Sequence, residues 1–345
     1  MGQDRLPRIR VICPCLNEVE GVTTFFAELW KVLSKLDEYQ FEVVFVDDGS
    51  FDGTYEKLLD MSKRFPQVKV LRFSRNFGHQ TALIAGIDST DESFDAAILM
   101  DSDLQHPPAV IPELIKGWES GSEIVSTIRA ESPSISFFKK ITSKLYYVLI
   151  NLLSDVRILP NCADFCLIGR TPLQALKNMK EKDLFLRGAI SWLGFQRSFV
   201  TYIESPRFIG TSHYTFSKMM NLAIHSVFSF STKPIKLCFH LGMTSVGLAS
   251  LYLIYACIMY FSIGTVRGWT SIIACIVFFG GLNMLMLSVL GGYISRIFNE
   301  VKERPRYVIS RQSSTRKNSF DVANQANAAP TFKQIASESV SISSL

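Results

Sequence analysis

"ILMDSDLQHPP", residues 98–108, ends an apolar run with two aspartates one residue apart, Asp101 and Asp103. Two ionised carboxylates that close repel, and one tends to keep its proton. A chain that places them at the end of a buried strand implies a positive charge from elsewhere. Mg²⁺ or Mn²⁺ suits such hard oxygen ligands, and Mg²⁺ commonly combines one or two carboxylates with phosphate oxygens of a substrate. Residues two apart in an extended segment face the same way, so the spacing predicts Asp101, Asp103 and Gln105 in one pocket. A lone Asp-x-Asp also fits a surface turn. Its position after an apolar strand, with carboxylates closing another strand as well, gives it weight.

Outward from this stretch, short apolar runs alternate with helical spacings. Residues 9–13, 41–46, 68–73, 95–100 and 124–128 read as strands, and 19–36, 54–65, 78–89 and 108–120 as helices. Runs that are apolar throughout fit strands buried on both faces. Strand–helix alternation predicts an α/β fold with a parallel, doubly wound sheet, in which ligands gather at the carboxyl ends of the strands. The notable polar residues fall there: Asn17 and Glu18 after the first strand, Asp47 and Asp48 after the second, Asp101 and Asp103 after the fourth.

The 345 residues are uneven in character. From 237 to 266 there is no Asp, Glu, Lys or Arg; Arg267 interrupts, and 268–295 is again free of all four. Each stretch exceeds the roughly 20 apolar residues that cross a bilayer. Lys233 and Lys236 precede the first, and Arg296, Lys302, Arg304 and Arg306 follow the second. The basic excess marks the cytoplasmic side, so both ends of this hairpin are expected in the cytoplasm of a multi-pass plasma-membrane protein. Residues 1–8 are polar and lack the apolar core of a signal peptide. The expected organisation is a cytosolic catalytic domain over 1–216 and an amphipathic juxtamembrane helix over 217–234. Two membrane helices, about 237–262 and 269–294, fall within 235–296, and 297–345 is cytosolic. The tail from about 310 is rich in Ser, Asn and Ala and is expected to be largely disordered. The seven cysteines form no CxxC pair and read as reduced thiols, not metal ligands. In the second span Gly280-Gly281 and Gly291-Gly292 lie on nearly one helical face, which fits packing within the hairpin or a homo-oligomer.

Several motifs in order carry a family resemblance: "VICPCLNEVEG" at 11–21, "VFVDDGSFDGT" at 44–54, "LRFSRNFGHQTAL" at 71–83, "MDSDLQHPP" at 100–108, "ADFCLIGR" at 163–170, "RFIGTSHYTFSKMM" at 207–220 and "FSFSTKP" at 228–234. Over about residues 8–308 the sequence resembles the polyprenyl-phosphate glycosyltransferases of glycosyltransferase family 2. The resemblance implies a GT-A catalytic domain, a nucleotide-sugar donor and a polyprenyl-phosphate acceptor at the membrane. Placed residue by residue, it implies that Pro14, Asn17, Glu18 and Asp48 line the nucleotide pocket, with Asp48 reaching the base. Asp101 would touch ribose or metal, and Asp103 and Gln105 would hold the metal on the diphosphate. Asp164 would face the donor sugar, against the plainer reading of a turn cap. Arg129, Lys139, Lys140, Ser143, Arg207 and Ser212 would contact the acceptor phosphate, although Arg207 also fits simple snorkelling to the interface. The family usually has Arg after "DF"; here it is Cys166, so a phosphate contact comes from elsewhere or the site differs. "AISWLGF" stands where the processive synthases carry QxxRW, so polymer synthesis is not expected. His79 and His106 read as a helix start and a loop contact and are left out of the site.

The implied reaction suits these residues. A lipid phosphate is already largely ionised near neutral pH and needs no strong base, whereas departure of the nucleoside diphosphate needs charge stabilisation. Attack from the opposite face inverts the anomeric centre. UDP-glucose and undecaprenyl phosphate are the expected substrates, with GDP-mannose or a modified UDP-pentose as alternative donors. A non-catalytic sugar-nucleotide sensor would be expected to lack a metal ligand, yet Asp101, Asp103 and Gln105 are all present. A transport pathway is disfavoured by spans with no acidic residue. No nucleic-acid partner is expected.

Overall fold

The computed structural model describes residues 5–130, 162–182, 184–203, 233–263 and 268–312. The expectations for Lys139, Lys140, Ser143, Arg207 and Ser212, and those for the amphipathic helix up to residue 232 and the tail beyond 312, lie outside the described residues.

The apolar runs become strands. β1 (Arg8–Cys15), β2 (Gln40–Asp47), β3 (Val68–Phe73) and β4 (Ala96–Leu99) stand side by side in the order β4-β1-β2-β3, all parallel. Both faces are covered. Ile9, Val11 and Cys13 of β1 enter one core with apolar residues of α1 (Val22–Leu33), α2 (Thr54–Arg64) and α4 (Ile111–Glu119). Ile12, between them, enters the other core with Leu83, Ile84 and Ile87 of α3 (His79–Asp88). The two-residue period of a strand thus divides one uninterrupted apolar run between two layers. α3 lies so close to β1 that a Cβ on Gly86 would come within 2.1 Å of Ile12 Cγ2.

The remainder departs from an all-parallel sheet. β5 (Ile124–Arg129) does not pair with β4. β6 (Cys162–Gly169) runs between them, antiparallel to both, and β7 (Arg197–Tyr202) pairs parallel with β5. The order across eight strands is β7-β5-β6-β4-β1-β2-β3-β8. Among the described strands six run one way, and β6 and β8 (Ile309–Gln312) oppose them. α5 (Arg170–Asn178) and α6 (Leu186–Trp192) follow β6.

Two elements reach past bounds expected from the sequence. β8 extends to Gln312 and pairs antiparallel with β3. Tyr307, just before it, stacks on Phe73 at 5.2 Å and donates its hydroxyl to Asp88 at 3.1 Å. The two long helices also outrun the apolar spans. α7 (Lys233–Ile263) begins at a residue assigned to the preceding amphipathic helix, and α8 (Trp269–Val301) continues past 294. No proline interrupts α8, so its backbone keeps satisfying its own hydrogen bonds. Within α8, Phe278–Val301 is long and apolar enough to cross a membrane and is not buried in the protein. The two helices pack where a Cβ on Gly242 would lie 3.7 Å from Met286 Sδ, whereas one on Gly280, Gly281 or Gly291 would meet nothing within 4 Å. The far end of α8 is tied to the sheet domain, with Lys182 Nζ donating to the Asn299 carbonyl at 2.5 Å and Lys182 N–H to Glu300 Oε1 at 2.9 Å.

Candidate active site

Because β6 is antiparallel, its first residues reach the edge where β4 ends. Leu99 pairs with Cys166; two steps further along each strand come Asp101 and Asp164. The imidazole of His79, the first residue of α3, stands between these carboxylates. Its Nε2 is 3.3 Å from Asp101 Oδ1 and 3.9 Å from Asp164 Oδ2.

The Asp101–Gln105 segment is not extended. β4 stops at Leu99, and the chain turns through Ser102 and Asp103 to Leu104, whose φ is +60°. Asp103 Oδ1 accepts the Gln105 N–H at 3.1 Å, closing a side-chain turn, and buried Ser102 donates to the Pro14 carbonyl at 2.9 Å. The two-residue argument for Asp101, Asp103 and Gln105 therefore fails: the like-charged pair and the local Asp103 turn compete with the strand and win. The loop nonetheless fits a hard cation. Asp101 Oδ1 is buried and accepts no hydrogen bond, the Nε2 of His79 lying outside bonding geometry, and Asp103 follows two residues on. Among the described residues no group of three or more His, Cys, Asp or Glu side chains is arranged to hold a metal. These two carboxylates would hold an ion only with oxygens from Gln105, water or a substrate.

Asp164 is nearly enclosed, its side chain 10% exposed. Arg187 of α6 binds it twice, Nε to Oδ1 at 2.6 Å and Nη2 to Oδ2 at 3.0 Å. Gln80 adds a hydrogen bond from its amide nitrogen at 3.1 Å, while its own oxygen accepts the Leu186 N–H at 3.2 Å. Burial alone would raise the Asp164 pKa, but the Arg187 charge and its hydrogen bonds bring it below the usual carboxylate range. Asp164 is therefore an ionised, clamped group and not a cap on its own turn. Cys166 lies one step deeper along β6, buried with Ile12 and Leu83, and burial pushes its thiol well above the ordinary range. Arg187 places a guanidinium beside Asp164 from another element.

The β1–α1 and β2–α2 loops are knitted together. Asn17, at φ +55°, accepts the Phe51 N–H on Oδ1 at 3.2 Å, and its own N–H goes to Ser50 Oγ at 2.9 Å. The Glu18 N–H donates to Thr54 Oγ1 at 2.8 Å. Pro14 is buried beneath the Asp101 loop, and Arg129 is exposed at the end of β5, at the same sheet edge. Asp48 follows β2 at the same sheet edge. It is buried, and its oxygens accept the N–H groups of Phe77, at 2.6 Å, and Gly78, at 2.9 Å. Burial raises its pKa and these amides partly offset that. Asp48 anchors the 74–78 loop beneath α3. Gly49 fits the same contact, since at φ +75° a Cβ would stand 2.6 Å from the Arg75 carbonyl carbon.

His106 fits the structural reading. Its ring stacks on Phe165 at 5.1 Å, and its Nδ1 accepts the Asp101 N–H at 3.0 Å, so that nitrogen carries no proton. His79, Gln80 and Arg187 were not expected at the site. The first two belong to a helix start inside the quoted "NFGHQTAL". Arg187 lies far along the chain, and nothing in its local sequence distinguishes it.

The family described as Glycosyl transferase family 2 matches residues 10–177, a span holding Asp101, Asp103 and Asp164 but not Arg187. An uncharacterized glycosyltransferase of Bacillus subtilis is 36% identical over 302 residues, covering 87% of this chain and 93% of the relative. The SfII prophage-derived bactoprenol glucosyl transferase of Shigella flexneri is 36% identical over 305 residues, covering 88% and 98%. Among solved structures, a mannosyltransferase of Pyrobaculum calidifontis in complex with GDP-Man and Mn²⁺ aligns with a TM-score of 0.45 at 13% identity, over 88% of this chain and 89% of that one.

Proposed function

The chain belongs to glycosyltransferase family 2, to its polyprenyl-phosphate glycosyltransferases, and on that premise we propose that it moves glucose from UDP-glucose to undecaprenyl phosphate. The transfer is a metal-dependent, inverting single displacement at the cytoplasmic face of the plasma membrane. The observation that carries this reading is the strand register that sets Asp101 beside Asp164 at the sheet edge, with a buried oxygen of Asp101 left without a hydrogen bond.

Asp101 and Asp103, with Gln105, would hold Mg²⁺ or Mn²⁺, which when bound supplies positive charge for the diphosphate leaving group. Pro14, Asn17, Glu18 and Asp48 would line the nucleotide pocket, with Asp48 reaching the base while it also fixes the 74–78 loop. Asp164 faces the donor sugar. Its lowered pKa makes it a weak base, which accords with an acceptor phosphate that attacks already ionised. Arg129 would meet that phosphate, joined by Lys139, Lys140, Ser143, Arg207 and Ser212. The sheet domain lies in the cytosol as residues 1–216, with 217–234 amphipathic at the interface. α7 and α8 cross the membrane as a hairpin and return 297–345 to the cytoplasm. The glycine pairs of α8 suit close helix contact, either within the hairpin or with a second copy of the chain in the membrane.

The test offers membranes containing the protein a panel of radiolabelled sugar nucleotides with undecaprenyl phosphate. Lipid-linked glucose from UDP-glucose, in the β configuration and abolished by EDTA, supports the reading. Label from GDP-mannose or a UDP-pentose instead replaces the donor. No lipid-linked product from any donor overturns the activity.

A further inference from the structure

We propose that His79 is a positioning residue for Asp101: its imidazole fixes which way the carboxylate turns and keeps it apart from Asp164. The inference rests on the metal-dependent transfer proposed above and assigns a role to a residue outside the expected site.

His79 sits where two like charges approach. Asp101 Oδ1, buried and without a hydrogen bond, is 3.3 Å from His79 Nε2, and Asp164 Oδ2 is 3.9 Å from the same nitrogen. Asp164 is already neutralised by the two hydrogen bonds of Arg187 and held by Gln80. Asp101 has no such clamp. On its main-chain side His106 Nδ1 accepts its N–H, and toward the cleft it has the His79 imidazole, 45% exposed. Consecutive residues of one helical turn thus serve neighbouring carboxylates, His79 facing Asp101 and Gln80 binding Asp164. An uncharged imidazole with its proton on Nε2 is sufficient, because it needs only an N–H that closes on Oδ1 by a small rotation.

The support beneath His79 is rigid. The N–H groups of the two preceding residues, Phe77 and Gly78, are both held by buried Asp48. α3 is locked to β1 through the close approach of Gly86 to Ile12. A side chain carried on so fixed a turn can hold a ligand carboxylate within the tolerance that binding needs. Outer hydrogen-bond partners of metal-binding carboxylates commonly govern affinity by about 10- to 100-fold.

The experiment uses the full-length protein in detergent and follows Mn²⁺, alone and with UDP, by electron paramagnetic resonance. Unaltered protein, His79→Ala and His79→Gln are compared, with steady-state kinetics on UDP-glucose beside them. His79→Ala is expected to weaken Mn²⁺ binding by about 10-fold, while thermal unfolding stays near that of the unaltered protein. His79→Gln, whose amide N–H can reach the same oxygen, should recover most of the loss in Mn²⁺ affinity and in kcat/KM. Retention of Mn²⁺ affinity within twofold in His79→Ala overturns the inference and leaves the metal reading standing. A His79→Gln variant as impaired as His79→Ala overturns it too, because the donated N–H is then not what matters. Absence of Mn²⁺ binding by the unaltered protein overturns both readings.

Discussion

Arg187 holds Asp164 by both of its oxygens, at 2.6 and 3.0 Å, although the residues lie on different elements and 23 positions apart. This clamp sets a sign for pH. The folded-state pKa of Asp164 is lowered, so the pair's contribution is present above the unfolded value of about 3.9 and is lost as pH falls through the folded one. In Arg187→Met the buried carboxylate loses its partner and burial dominates, which raises its pKa. The loss in stability near neutral pH, about 1.5–3 kcal/mol as for hydrogen bonds to a charged group, should then shrink as the medium is acidified toward pH 5. Thermal unfolding in detergent at both pH values checks this. The double change Arg187→Met with Asp164→Leu should regain part of the loss; if it is no more stable than the single variant, the clamp is not its source.

Asp103 offers a cleaner test of the cation site than Asp101. Its Oδ1 closes a turn by accepting the Gln105 N–H at 3.1 Å, and an asparagine oxygen can accept the same bond. Asp103→Asn therefore removes charge while keeping the turn. Turnover should fall by about a hundredfold or more, the scale of a lost transition-state electrostatic contact, with the melting temperature little changed. EDTA should abolish activity of the unaltered protein, and Mg²⁺ or Mn²⁺ should restore it. Full turnover in a metal-free preparation rules the assignment out.

The sequence made β1 to β5 legible because each is a short apolar run with a turn signal at its end. It did not disclose β6. "CADFCLIG" carries a charge near its start and returns from a long excursion after β5, so its place between β4 and β5 is a matter of pairing, which no local period encodes. That placement alone brings Asp164 to Asp101. Asp101 and Asp103 were visible as a motif, but the extended spacing that would align them is absent, since the strand stops at Leu99 and Leu104 stands at φ +60°. Asp48 illustrates the opposite limit. Its motif marks it for a ligand, and its oxygens also hold the amides of Phe77 and Gly78, partners that only the fold brings near. His79 and Arg187 were hidden for the same reason.

Gly49 links these loops in a way that can be tested separately. At φ +75° it already holds a conformation that costs other residues energy, and an added Cβ would stand 2.6 Å from the Arg75 carbonyl carbon and 2.8 Å from the Asn76 nitrogen. Neither is a flexible side-chain tip. Gly49→Ala must therefore move the 74–78 loop and disturb the amides that Asp48 holds. A destabilisation of roughly 2 kcal/mol or more should accompany a rise in KM for the donor. A variant with unchanged melting temperature and KM would mean that the loop yields freely and does not position the site.

Tyr307 fastens the segment that follows α8 to the sheet domain. Its ring stacks on Phe73 at 5.2 Å with 19° between planes, its hydroxyl donates to Asp88 at 3.1 Å, and β8 continues from it along the edge of β3. Burial raises the Asp88 pKa, and the Tyr307 hydroxyl with Arg306 and Lys177 opposes that. A raised folded-state pKa means that stability falls as pH rises through the window between the unfolded and folded values. Tyr307→Phe keeps the stack but removes one opposing bond, so its cost, about 1 kcal/mol, should be larger at pH 7 than at pH 5. Tyr307→Ala removes the stack as well and should free the strand from β3. Limited trypsin digestion reads this directly, because Arg306 precedes Tyr307 and Arg311 lies within β8. Cleavage there should quicken several-fold in Tyr307→Ala and little in Tyr307→Phe, while cleavage elsewhere in the sheet domain is unchanged. Equal rates at Arg311 in Tyr307→Ala and the unaltered protein would mean that β8 is held by its backbone pairing with β3 and not by the tyrosine.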